Sequence, residues 1–287
     1  MKDQMGRLRS RLKSLISKYA PPEVMPLIRH YRSRGSTFLA KNVTIASATP
    51  EGTVLIIAPH QDDEVIGMGG TLGMHLDSKC HVTVLYMTDG RHLDSRRGLS
   101  TSETINIRRK EAMSLGDTYN IKQIFWTVED GCLTNDGRTI AALTNVLDEV
   151  RPTVIYLPSF FDFHYDHFAA NGILVKALQG TSSAITVNGY EISEHVPYPN
   201  YIVDITLYYK MKEAAMSHYA APLEDHDYIK VFKARNTLHH AMHINSKIEG
   251  YAEAFLSLDS ENYQRLFEDY VGALRESGSN LPYHLVK

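Results

Sequence analysis

From Thr53 onward, short apolar runs alternate with longer stretches of mixed polarity. Val54–Ala58, His81–Met87, Gln123–Val128 and Thr153–Leu157 are rich in β-branched, aliphatic and aromatic residues. Their length and composition predict buried strands. Between them, about Val65–Asp77, Ser102–Leu115 and Thr139–Val150 follow a helical period. A further helix runs from the segment after Pro158 to about Leu178. Strands separated by helices predict an α/β fold with a mainly parallel sheet and helices on both faces. Strands near Ile185–Ile192 and Ile202–Ile205 close this part, and the chain after Thr206 reads as mostly helical to about Leu274.

The start of the chain has a different pattern. Met5, Leu8, Leu12, Leu15, Ile16 and Tyr19 recur at helical spacing, with Arg7, Arg9, Arg11, Lys13 and Lys18 between them. Pro21-Pro22 ends this amphipathic helix. The expected organisation is a basic helical arm over residues 1–50. A single α/β domain then covers 51–287, with a helical extension from about 207.

Charge sharpens that division. Met1–Lys41 holds ten Lys/Arg against two Asp/Glu, a net +8, while the whole chain is −3, which leaves −11 for the rest. The acidic remainder, without a recognisable binding module, argues against nucleic acid as a partner. The arm fits packing against the domain or a second copy in a homo-oligomer. It also fits reversible contact with an anionic membrane through residues 1–41. No apolar run approaches the ~20 residues that span a bilayer. The two cysteines, Cys80 and Cys132, form no disulfide framework. A reducing cytoplasm, including the inner face of its membrane, is the expected location.

Two polar clusters interrupt the apolar pattern directly after predicted strands. The first is His60-Gln61-Asp62-Asp63-Glu64, after Val54–Ala58; the second is Asp162-Phe163-His164-Tyr165-Asp166-His167, after Thr153–Leu157. In an open parallel sheet the carboxyl ends of the strands share one edge, where ligands bind. Segments about a hundred residues apart can therefore meet there. His60, Asp63 and His167 then make a set of two imidazoles and a carboxylate, which suits zinc and leaves a coordination position open. Another divalent metal could use the same set. Asp62 adjoins a ligand without being needed as one and is the candidate general base. His164 would lie near the same metal, as an acid or a cationic hydrogen-bond donor. His239 and His243, four apart on a predicted helix, read as a polar face.

These residues also carry a resemblance. Pro59-His60-Gln61-Asp62-Asp63-Glu64 with Gly69-Gly70-Thr71-Leu72, and Asp162-x-His164-x-Asp166-His167, resemble the two main motifs of the LmbE-like/PIG-L N-acetylglucosaminyl deacetylase family. Thr88-Asp89-Gly90, Arg108-x-x-Glu111, Asp130-Gly131-x-Leu133, Val203-Asp204-Ile205-Thr206 and Tyr251–Phe255 match lesser motifs in order. The resemblance covers about Thr53–Phe255.

It implies a Rossmann-like, zinc-dependent hydrolase that removes acetyl from an N-acetylated amino sugar or its conjugate, small or carrier-linked. It implies His60, Asp63 and His167 as metal ligands, Asp62 as base and His164 as oxyanion donor or acid. Asp166 would orient a histidine, and Arg108, Asp130 and His218 would contact substrate. For Arg108 the alternative is a salt bridge to Glu111 across one helical turn. Gln61 and Tyr165 replace the usual prolines, and His218 is followed by Tyr219-Ala220-Ala221 instead of the usual x-Ser-Gln. The alternative functions are an amidase on another acyl group or amide conjugate, and a sugar-binding relative without catalysis.

Overall fold

The computed structural model describes residues 43–48, 52–92, 98–179 and 184–276. The elements are β1 (Thr44–Ala46), β2 (Thr53–Ala58), α1 (Asp63–Asp77), β3 (His81–Thr88), α2 (Thr101–Tyr119), β4 (Lys122–Val128) and α3 (Gly137–Val150). They continue with β5 (Val154–Pro158), α4 (Tyr165–Ala177), β6 (Thr186–Tyr190), β7 (Tyr201–Asp204), α5 (Tyr209–Met216), α6 (Ala220–Asp225), α7 (Tyr228–His243), β8 (Ala252–Asp259) and α8 (Ser260–Glu276). The chain divides into two compact units, and Val43–Tyr263 is the one that holds the sheet.

The strands lie in the order β1-β7-β8-β6-β5-β2-β3-β4. All neighbouring pairs are parallel except those of β8, which runs antiparallel between β6 and β7. The chain goes from β2 to β3 on one side, and β5 takes the other side of β2. This reversal opens a crevice at the carboxyl ends of β2 and β5, the usual place for a ligand in such sheets.

Side chains of β2 from Val54 to Ala58 are fully buried, consistent with their uninterrupted apolar run. Val54, Ile56 and Ala58 share a core with α1, Tyr86, Tyr156, Tyr190 and Phe255. Two glycines let strands approach α1. A Cβ on Gly67 would lie 2.2 Å from the Tyr190 ring, and one on Gly70 would lie 2.6 Å from Ile205. The helix is kinked at Met68, with φ −144° and ψ 23°. The kink frees backbone N–H groups that a straight helix would pair. Glu253 on β8 accepts two of them, from Gly70 at 3.0 Å and Thr71 at 2.8 Å. The Lys212 ammonium neutralises that carboxylate from 2.6 Å, and both side chains are fully buried.

Several expectations change. The segment after Thr206 is mostly helical but contains β8. Its Ala and Glu are good helix formers, and tertiary pairing with β6 and β7 overrides that preference. α2 continues to Tyr119, one turn past the expected end, and closes at Asn120 in the left-handed conformation. The basic helix expected near the N-terminus lies outside the described residues. Within residues 1–50 the described part contains the strand β1, parallel to β7. No described helix is long and apolar enough to cross a membrane.

Candidate active site

The polar clusters after β2 and β5 meet in a pocket of about 240 Å³. His60 and Asp62 occupy the turn from β2 into α1, and Asp63 opens the helix. Asp62 has φ 129°, a strained value for a residue with a Cβ. Asp63 accepts the His60 backbone N–H at 2.8 Å, and with Glu64 it places negative charge at the helix N-terminus, where the dipole favours it.

Three atoms converge from these elements and from α4. His60 Nδ1 lies 3.4 Å from Asp63 Oδ2, His167 Nε2 lies 3.4 Å from the same oxygen, and the two nitrogens are 3.3 Å apart. Ligands bound at ~2.0–2.1 Å around a tetrahedral ion lie about 3.3–3.4 Å from one another. The triangle therefore has the size and donor types of a zinc half-shell. The far nitrogen of each ring faces a carboxylate. His60 Nε2 is 3.1 Å from Asp166 Oδ2 and 3.2 Å from Asp130 Oδ1, while His167 Nδ1 is 3.2 Å from Asp162 Oδ1. Such partners fix the tautomer and aim of a metal-binding imidazole.

Asp166 also accepts the Gly131 and Leu133 N–H groups, at 2.7 and 3.0 Å. It thereby anchors the loop after β4 to His60. Asp162 accepts the backbone N–H of His164 at 2.9 Å and of Ser193 at 2.8 Å, tying the segment after β6 to the same cluster. Burial opposes charge throughout. Even so, the surrounding carboxylates raise His60 well above the usual imidazole range and His167 to about 9. Asp63, against its burial, is held well below the usual carboxylate range by His167 and His60.

Asp62 lines the pocket beside this triangle. Burial lifts its carboxyl to about 6, against the pull of Arg108. Arg108 Nη2 lies 3.1 Å from Asp62 Oδ2, and the same group donates to the Gln61 carbonyl. Its Nη1 lies 3.4 Å from Glu111. The guanidinium is buried and its hydrogen bonds are engaged within the protein. Arg108 thus lines the pocket and pairs with Glu111, and it also clamps Asp62, a partner that helical spacing does not show. Beneath it, Tyr219 and Tyr86 donate to the buried carboxylate of Glu64. Gln61 donates to the Thr88 carbonyl at 2.9 Å, so a side-chain hydrogen bond holds this turn.

His164 lies edge-on to His60, with ring centroids 4.6 Å apart. Its Nδ1 accepts the Asp166 N–H at 3.3 Å, capping α4. An accepting Nδ1 places the proton of the neutral ring on Nε2. Burial, followed by the neighbouring His167 and His60, lowers its pKa. The neutral ring would therefore donate through Nε2.

His218 does not line the pocket. Its Nδ1 is 2.9 Å from Ser114 Oγ and its ring stands against Tyr119. Its neighbour Tyr219 is the residue that turns inward. Pro222 and Tyr228 from the same part of the chain line the pocket instead, with Ile192 and Ser193 after β6. These come from loops and helix starts that carry no spacing signal. His239 packs against Glu191, with Nε2 2.8 Å from Oε2.

The model of the family PIG-L: GlcNAc-PI de-N-acetylase matches residues 55–178. A diacetylchitobiose deacetylase of Thermococcus kodakarensis is 28% identical over 129 residues, 44% of this chain and 48% of that protein. The chain thus aligns with about half the length of this curated relative. The structure of N,N′-diacetylchitobiose deacetylase from Pyrococcus horikoshii superposes with a TM-score of 0.62 at 24% identity, over 81% of this chain and 94% of that one. The 4-carboxy-2-hydroxymuconate hydratase of Pseudomonas putida superposes with a TM-score of 0.61 at 22% identity, over 73% and 96%. These superpositions show the fold, and the family match covers both strand-end clusters. Residues 55–178, somewhat under half of the chain, therefore match a PIG-L (LmbE-like) family domain.

Proposed function

We propose that this protein is a divalent-metal-dependent hydrolase, with zinc the best-fitting ion, that removes the acetyl group from an N-acetylated amino sugar or its conjugate. The observation that carries the proposal is the triangle of His60 Nδ1, Asp63 Oδ2 and His167 Nε2 beside the buried Asp62 carboxylate. The family's description and the diacetylchitobiose deacetylase relative support the choice of substrate class.

His60, Asp63 and His167 would hold the ion, with Asp166 and Asp130 behind one imidazole and Asp162 behind the other. A bound ion supplies Lewis acidity and a water of lowered pKa. Arg108 occupies Asp62 Oδ2, and among the described residues no hydrogen bond reaches Oδ1. Asp62 can therefore take a proton through Oδ1 as water attacks the amide carbon. His164 Nε2–H donates to the carbonyl oxygen as it gains negative charge, the kind of stabilisation that dominates acyl transfer. When the C–N bond breaks, Asp62 returns the proton to nitrogen. Water has then added hydroxyl to the acyl carbon and hydrogen to the amine, giving acetate and the free amino sugar.

The test is incubation of the full chain with a panel of N-acetylated sugars and conjugates, with and without a chelator, reading acetate and loss of one acetyl. Chelator-sensitive deacetylation supports the reading. Release of a longer acyl group alone would favour a different amidase, and release of none would refute hydrolysis.

A further inference from the structure

The hydrogen-bond donors at the pocket differ in how far they are already engaged. Arg108 is held by Asp62, the Gln61 carbonyl and Glu111. His60 Nε2 faces Asp130 and Asp166. The nearby Tyr86 and Tyr219 hydroxyls lie on Glu64. Tyr228 differs from these. It lines the same pocket as Asp62, Asp63 and Arg108, and no hydrogen bond reaches its hydroxyl among the described residues.

Its position is nevertheless fixed. Tyr228 is the first residue of α7, whose start Asp227 caps by accepting the Lys230 N–H at 2.9 Å. Its own N–H donates to the His226 carbonyl at 2.8 Å, the His226 ring stands edge-on at 5.0 Å, and the phenol is half-buried against the core cluster. A phenol on a fixed backbone, flanked by the His226 ring and the core, with an idle O–H is preorganised for a ligand acceptor. Burial, followed by the Asp62 and Asp63 charges, raises its pKa, so the hydroxyl stays protonated and donating.

We propose that Tyr228 is a specificity-determining residue, whose hydroxyl donates a hydrogen bond to a hydroxyl oxygen of the sugar ring that bears the acetamide. The proposal rests on the deacetylase reading above and deepens it by naming the side chain that recognises the sugar. Tyr228 has no part in proton transfer, because Asp62 accounts for it. The contact is made equally in ground and transition states, so its loss acts on KM.

The experiment compares wild type with Tyr228→Phe on N-acetylglucosamine and its monodeoxy analogues, reading acetate release and the unfolding midpoint. A neutral hydrogen bond of about 0.5–1.5 kcal/mol predicts a KM about 2- to 12-fold higher in the variant. Turnover number, pH profile and unfolding midpoint should stay the same. The penalty should disappear for the one analogue that lacks the paired hydroxyl. An unchanged KM, or an equal penalty on every analogue, overturns the assignment. A fall in kcat at constant KM also overturns it, because that would place the hydroxyl on the reacting group. If wild type releases acetate and the variant is neutral, only Tyr228 loses its role. If wild type releases none from these sugars or from the panel of N-acetylated conjugates, the deacetylase reading fails and this proposal falls with it.

Discussion

Lys212→Met should destabilise the protein strongly although Lys212 lies away from the pocket lining. Its ammonium is 2.6 Å from Glu253 Oε1 and 3.2 Å from Asn236 Oδ1, with no exposed surface on either charged side chain. Removing the cation leaves a buried carboxylate, and breaking a buried pair costs about 3–5 kcal/mol. Glu253 would keep the Gly70 and Thr71 N–H groups, whose hydrogen bonds to a charge are worth about 1.5–3 kcal/mol each. The expected loss is therefore near the lower end, about 3 kcal/mol. Glu253→Gln should cost about as much, because it strands the lysine and weakens the cap on the second half of α1. The double variant removes both charges together, so it should lose at least about 2 kcal/mol less than the sum of the singles. Urea unfolding followed by circular dichroism measures all three, provided the slopes agree. Single-variant losses below about 1 kcal/mol, or strict additivity, would refute the view that this pair holds the kink.

Two further expectations follow from individual groups. His75 is fully buried beside Tyr156, and burial lowers its pKa to about 4. A folded pKa below the unfolded ~6.5 gives stability that is complete above ~6.5 and lost as pH falls towards 4, by roughly 3 kcal/mol over the span. Unfolding free energies of His75→Gln should accordingly show a flatter pH dependence than wild type between those limits, and an equal slope would contradict this. Asp62→Asn should keep metal and fold but lose about 10²–10⁴-fold in deacetylation, and near-normal turnover in the metal-loaded variant would remove Asp62 as base.

Much of this architecture is legible in the sequence because its signals are local. The runs from Val54, His81, Gln123 and Thr153 are short, apolar and followed by helical periods, and each is a parallel strand. His60, Asp62 and Asp63 follow one of them and His164 and His167 follow another, so sheet topology alone brings them together. What escapes is non-local. β8 reads as helix because Ala252, Glu253 and Ala254 are helix formers, and its pairing partners lie more than forty residues upstream. The second partner of Arg108, Asp62, cannot be read from helical spacing, which shows only Glu111. His218 and Tyr219 are neighbours in sequence, yet one turns to Ser114 and the other to Glu64. Tyr228 and Ser193 enter the pocket from a helix start and a loop, where no periodicity points inward.

The central claim is that one divalent ion at His60, Asp63 and His167 enables deacetylation. The most direct test is to titrate metal-stripped protein with zinc while recording bound metal and acetate release from the best N-acetylated sugar. The account predicts that activity rises with the first equivalent per chain and that His167→Ala loses both tight binding and activity. Full turnover by metal-stripped protein, or stoichiometric tight binding in His167→Ala, would contradict it.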